Sequence, residues 1–179
     1  MDIISHGLWG SVAFGRKNRR GFWLAFLFGV MPDLTAFGPY FIGAWLGIIN
    51  IPGLPRAPGI PHEPPDPALI PTFVYHIYNL SHSVIIFAAA FTLVWLLLRR
   101  PLGEMGAWGF HILLDIPFHT SRFFPTPFLW PVSDLKINGI SWAEPIIFFP
   151  NVALLVGLYL WFFVIRPRRQ KRAMEQKKF

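Results

Sequence analysis

Residues 109–120 read GFHILLDIPFHT, placing His111, Asp115 and His119 at four-residue steps in an otherwise apolar stretch. On an α-helix such positions drift by only about 40° per step, so the three share one stripe. Pro117 interrupts that pattern: its ring and missing N–H kink or end a helix, which swings His119 toward or away from the line of His111 and Asp115. Further ionisable groups sit inside apolar segments, namely His6 in DIISHGLWG, Asp33 in VMPDLT, and His76 and His82 in VYHIYNLSHSVII. An ionised side chain at the centre of a membrane helix costs about 2.5–3.5 kcal/mol on insertion scales, which makes each of them a functional candidate.

The chain has no cysteine, so a metal would be held by imidazole nitrogen and carboxylate oxygen alone. Those donors suit Zn²⁺, with Mn²⁺ or Fe²⁺ as substitutes, better than the oxygen cages of Mg²⁺ and Ca²⁺. His6, Asp33, His82, His111, Asp115 and His119 are too many ligands for one tetrahedral zinc ion. Two neighbouring ions sharing Asp115 would use them, and paired metals about 3.5–4 Å apart are the usual device for in-line displacement at phosphorus. One ion generates hydroxide at neutral pH while both neutralise the developing phosphate charge. The same residues could instead form a proton or metal-ion relay, as intramembrane His/Asp chains do in transporters, although those usually show more long spans and two similar halves. Haem ligation by two histidines is a weaker third use, because it leaves Asp33 and Asp115 buried without purpose.

Other polar residues divide between site and scaffold. His76 lies about 240° around a helix from His82 and reads as structural or interfacial. Tyr78 and Asn79, four and three residues before His82, are placed to hydrogen-bond its ring or a substrate. Asp33 follows Pro32 and suits a helix N-cap, a role compatible with metal binding. His62, beside Glu63 and Asp66, reads as solvated. The segment FFPTPFLWPVSDLKINGISW (123–142) is either an aromatic interfacial belt or a rim admitting a lipid-like substrate laterally. In the second reading Arg122 or Lys136 clamps a phosphate and Asp134 orients a ligand or acts as general base.

The elements that must carry these residues are membrane helices. Hydrophobic residues make up 54% of the 179 and charged ones only 14%, against about 25% charged in a soluble domain. Five apolar segments can be drawn, 2–15, 21–49, 73–98, 102–118 and 145–165. The third and fifth meet the roughly 20 residues a span needs, the second does so with a break at MPDL (31–34), and the first and fourth are short. Between them lie a connector at 51–71 with eight prolines in 21 residues, which excludes helix, and a loop at 120–144. The expectation is an all-α integral membrane bundle of four to five hydrophobic helices over 1–165, with a basic tail at 166–179.

The net charge of +7 is not spread over a face as in nucleic-acid binding. If all five segments cross, Arg16, Lys17, Arg19, Arg20, Arg99, Arg100 and seven basic residues of the tail fall on one side, and only Arg56, Arg122 and Lys136 on the other. Positive-inside placement then puts the N-terminus outside and the C-terminus in the cytoplasm, with the tail touching anionic lipid headgroups. The first apolar stretch precedes its charges and no small-residue cleavage pattern follows, so it is expected to stay attached. Counted from the basic ends, His6, Asp33, His82 and His111 lie 10, 13, 17 and 11 residues along their segments. That brings all four to roughly 15–25 Å above a common face, toward the outer side.

In order along the chain, MDIISHGLWG, a PDL near 30, an SHS opening a long apolar helix, HILLDIPFH and FPTPFLWPVSD resemble the bacterial YdjM-like family of membrane-bound metal-dependent hydrolases. That family is distantly similar to the all-helical zinc-dependent phospholipases C and fungal zinc nucleases. The resemblance implies that Asp33, His82, His111 and Asp115 hold one metal and that His6, with Asp115 as bridge, holds a second. In the secreted enzymes the N-terminal residue is also a ligand, which leaves the role of Met1 open; a third site would find little beyond His119. The implied activity is hydrolysis of a phosphoester, plausibly in a lipid, by a protein of the bacterial cytoplasmic membrane.

Overall fold

The computed structural model describes residues 1–49 and 70–168; nearly all of the proline-rich connector, with Arg56 and His62, and the tail beyond Arg168 lie outside the described residues. Among the described residues the chain is helical: α1 Ile3–Phe14, α2 Arg19–Trp45, α3 Thr72–Ser81, α4 Val84–Leu98, α5 Gly106–Phe118 and α6 Pro145–Tyr159. A single isolated bridge between Thr120 and Phe123 is the only extended pairing there. Two helices, Arg19–Trp45 and Pro145–Arg168, are long and apolar enough to cross a membrane, and a third crossing results if α3 and α4 count as one bent span. Leu93, Leu96 and Leu97 on α4 and Ile146, Phe149 and Leu154 on α6 are exposed, an apolar surface that suits lipid rather than water.

Two expectations about these segments are corrected. The second segment has no break at MPDL: α2 runs through Pro32 and Pro39, and Thr35 Oγ1 donates to the Pro32 carbonyl at 3.0 Å. Asp33 is therefore an interior helical residue and not an N-cap. The third segment, expected as one uninterrupted span, is bent by 58° between α3 and α4. The cause is local, because the Ser83 side chain accepts from the backbone N–H of Ile85 and Ile86 and so starts a new helix where the old one would continue. The bend is held from outside by the loop, since Ser83 Oγ donates to the Trp130 carbonyl and Val84 N–H to the Phe128 carbonyl.

Helix α1 packs closely on α2, and glycine permits the approach: a Cβ on Gly29 would stand 2.6 Å from the His6 carbonyl oxygen. α6 flanks the bundle and is pinned to α1 by polar contacts. Asn151 accepts from Trp9 Nε1 at 2.7 Å and donates to Ser5 Oγ at 2.9 Å, while the Tyr159 hydroxyl donates to the Leu8 carbonyl at 3.1 Å. In an apolar surrounding such bonds position helices that hydrophobicity alone leaves free to slide. The loop after α5 folds back on it, with Gly139, Ile140 and Trp142 donating to the carbonyls of His119, Pro117 and Phe118. A side chain at 139 would meet the Pro117 carbonyl oxygen at 2.1 Å, so only glycine permits this pairing.

Candidate metal centre

Six side chains expected from the sequence converge. His6 comes from α1, Asp33 from α2, His82 from the α3–α4 bend, His111 and Asp115 from α5, and His119 from the residue that caps it. All are buried; Asp33 and His119, at 5% and 8% exposure, are the least enclosed. Helix α5 ends at Phe118, just after Pro117, and His119 adopts an extended backbone. That turn swings its ring inward, leaving Nε2 3.3 Å from Asp115 Oδ1.

The two oxygens of Asp115 serve different neighbours. Oδ2 lies 3.3 Å from His111 Nε2 and 3.5 Å from His82 Nε2; Asp33 Oδ1 lies 3.4 Å from His82 Nε2 and 3.8 Å from His111 Nε2. The two Nε2 atoms are 3.0 Å apart. Oδ1 faces His6 Nε2 at 2.8 Å, His119 Nε2 and the Met1 amino group at 2.5 Å. The two oxygens of Asp115 therefore face different sets of side chains.

Hydrogen bonds on the far side of the His82, His111 and His119 rings place a hydrogen on Nδ1. His111 Nδ1 donates to the Gly29 carbonyl at 2.7 Å and His119 Nδ1 to the Phe124 carbonyl at 2.9 Å. Ser81 Oγ donates to the Tyr78 carbonyl, so its lone pair, at 2.9 Å, accepts from His82 Nδ1. A carbonyl only accepts, so these Nδ1 atoms hold hydrogens, and in the neutral rings the Nε2 lone pairs turn inward. In that form Asp33 Oδ1, Asp115 Oδ2 and the Nε2 atoms of His82 and His111 are acceptors facing one another, while the Met1 amino group donates to the other oxygen of Asp115. A tetrahedron with metal–ligand bonds of about 2.1 Å has edges of about 3.4 Å, close to the distances above. Asp115 Oδ2 and both ring nitrogens of His6 are buried without a hydrogen-bond partner among the described residues. An acceptor left this way, such as Asp115 Oδ2, costs about 1–3 kcal/mol unless a cation satisfies it. The four residues offer ligand atoms all within 4.8 Å of one another and can hold a metal ion.

The surrounding residues are arranged to orient the ligands. The Tyr78 ring stacks on His82 with centroids 3.7 Å apart, and its hydroxyl donates to the Phe124 carbonyl at 2.9 Å. His6 stacks on His111 at the same centroid distance. Trp108 Nε1 donates to the Ser81 carbonyl at 2.6 Å and ties α5 to the bend. Asn79 is half-buried, and His76, Arg122, Asp134 and Lys136 are exposed. None of these five has a hydrogen bond or ion pair to the cluster among the described residues. Ser81 and the Gly29 and Phe124 carbonyls escaped the sequence reading; only the serines of SHS carried a signal, whereas a backbone acceptor has none. Compared with protein-family models, curated proteins and solved structures, the chain matches none, so the geometry of this cluster is what identifies it as a candidate metal centre.

Proposed function

We propose that the chain is an integral membrane, metal-dependent hydrolase that cleaves a phosphoester, with zinc as its metal and a lipid-linked phosphate as the substrate class. The observation that carries this reading is the division of Asp115: one oxygen faces Asp33, His82 and His111 across a gap of metal-ligand size, the other faces His6, His119 and the Met1 amino group. A single relay path has no need of four converging acceptors with locked tautomers, whereas a metal cage does. The first ion would be held by the cage and a second by His6, Asp115 and His119. A metal held there would lower the pKa of water and offset the negative charge on the phosphoryl oxygens. The resemblance of the ordered motifs to the YdjM-like family supports this reading.

The chain's own residues would divide the remaining work. Asp33 and His119 lie at the least enclosed edge of the cluster, so substrate would enter beside them, and Asp33 would accept the proton of the attacking water. Arg122 and Lys136, on the exposed loop over that region, would draw the phosphate in, with Asp134 outside the reacting group. Five crossings, counting α1, α2, the bent α3–α4 pair, α5 and α6, would leave the basic ends in the cytoplasm and the site toward the outer leaflet of a bacterial cytoplasmic membrane. The test is metal content of detergent-purified protein beside hydrolysis of chromogenic phosphodiesters and phospholipid vesicles. One or two zinc ions per chain, lost together with hydrolysis in Asp115→Ala and His111→Ala, is the expected result. A folded wild type that stays metal-free after growth with zinc and manganese would overturn it.

A further inference from the structure

At the opposite end of α1 from His6, the turn into α2 meets the end of α6. Arg16, Lys17 and Arg166 line one cavity of about 270 Å³ together with Ala13 and Phe14. Beside it, with Arg16 as shared wall, runs a groove of about 480 Å³ floored by Phe22, Trp23, Tyr159 and Phe163. The cations are not spent on the protein: among the described residues every ion pair belongs to the metal-centre cluster, and none involves Arg16, Lys17 or Arg166. The Arg16 guanidinium is held over the Phe162 ring at 4.3 Å, which keeps it at the junction of the two spaces.

Basic residues that only set topology need to lie near a membrane surface; they do not need a cavity, nor an aromatic groove continuous with it. Three cations with no ion pair among the described residues, around a small space, match a phosphate, with arginine supplying paired donors. The groove lies on two helices long and apolar enough to cross a membrane, and Trp23 in it is 55% exposed. We propose that this end of the molecule is a binding site for one anionic glycerophospholipid, its phosphate among Arg16, Lys17 and Arg166 and an acyl chain along Phe22, Trp23, Tyr159 and Phe163. The lipid joins the α1–α2 turn to α6 and is distinct from any substrate, which would approach from the His6 end.

Native mass spectrometry of the full chain in detergent, given equimolar dioleoyl phosphatidylglycerol and phosphatidylcholine, tests this. One phosphatidylglycerol retained per chain in preference to phosphatidylcholine is expected. Arg16→Gln/Arg166→Gln should weaken retention about 30-fold, as loss of two headgroup contacts predicts. Arg99→Gln/Arg100→Gln, which removes the same charge outside the cavity, should change it less than about threefold. Equal retention of the two lipids would overturn the proposal whether or not the variants fold. So would an equal loss in the Arg99/Arg100 variant, which would indicate only a general field, and so would displacement by an equal concentration of glycerol phosphate, which would indicate a phosphate pocket.

Discussion

Removal of metal is expected to loosen the whole bundle, because the four cage residues come from α2, the α3–α4 bend and α5. A ligand that binds only the folded state at 100 times its Kd adds about 2.7 kcal/mol. For a chain of 179 residues, each kcal/mol moves Tm by about 2–4 °C, so stripping the metal should lower Tm by about 5–11 °C. The assay is thermal unfolding in detergent with and without chelator, with metal content measured on the same samples. His82→Phe sharpens it. The phenyl ring keeps the stack on Tyr78 but removes one of two lone pairs that face each other at 3.0 Å. It also loses the Nδ1 bond to Ser81, worth about 1 kcal/mol, against the relief of that repulsion. In chelator the variant should therefore melt within about 4 °C of wild type, while its response to metal disappears. A wild type that binds metal stoichiometrically yet melts at the same temperature with and without it would refute the argument that the cage ties the elements together.

Three further outcomes are expected. Gly29→Ala forces backbone against backbone where α1 crosses α2 and displaces the carbonyl that orients His111, so it should cost about 1–3 kcal/mol and lower metal occupancy together, read by melting and metal content. His119 touches Asp115 Oδ1, the oxygen turned away from His82 and His111, so His119→Ala should remove at most one ion per chain where Asp115→Ala removes all, read by metal content. Asn151→Ala strips partners from Trp9 and Ser5 and should destabilise by about 1–3 kcal/mol in a melting experiment, with stoichiometric metal still bound to the folded protein.

The sequence by itself determined the helical, apolar character of the chain and the identity of the cluster. Ionisable residues inside apolar segments are too costly to be incidental, and the four-residue spacing of His111 and Asp115 needs only one helix to place both on one face. Proline at 117 announced the end of α5 for the same local reason. At 32 and 39 the same residue type did not break α2, because neighbouring helices decide whether a helix lacking a donor is still the best packed form. The bend at His82 and Ser83 was written in a serine whose capping role shows only when the loop at Phe128 and Trp130 is in place to hold it. What the tertiary structure alone decided is the meeting of the ligands: the register of α1 on α2 at Gly29, the inward turn of His119 and the carbonyls that orient the His111 and His119 rings. Periodicity records what one helix presents along its own axis, whereas the distance between side chains on different helices depends on how closely their backbones approach.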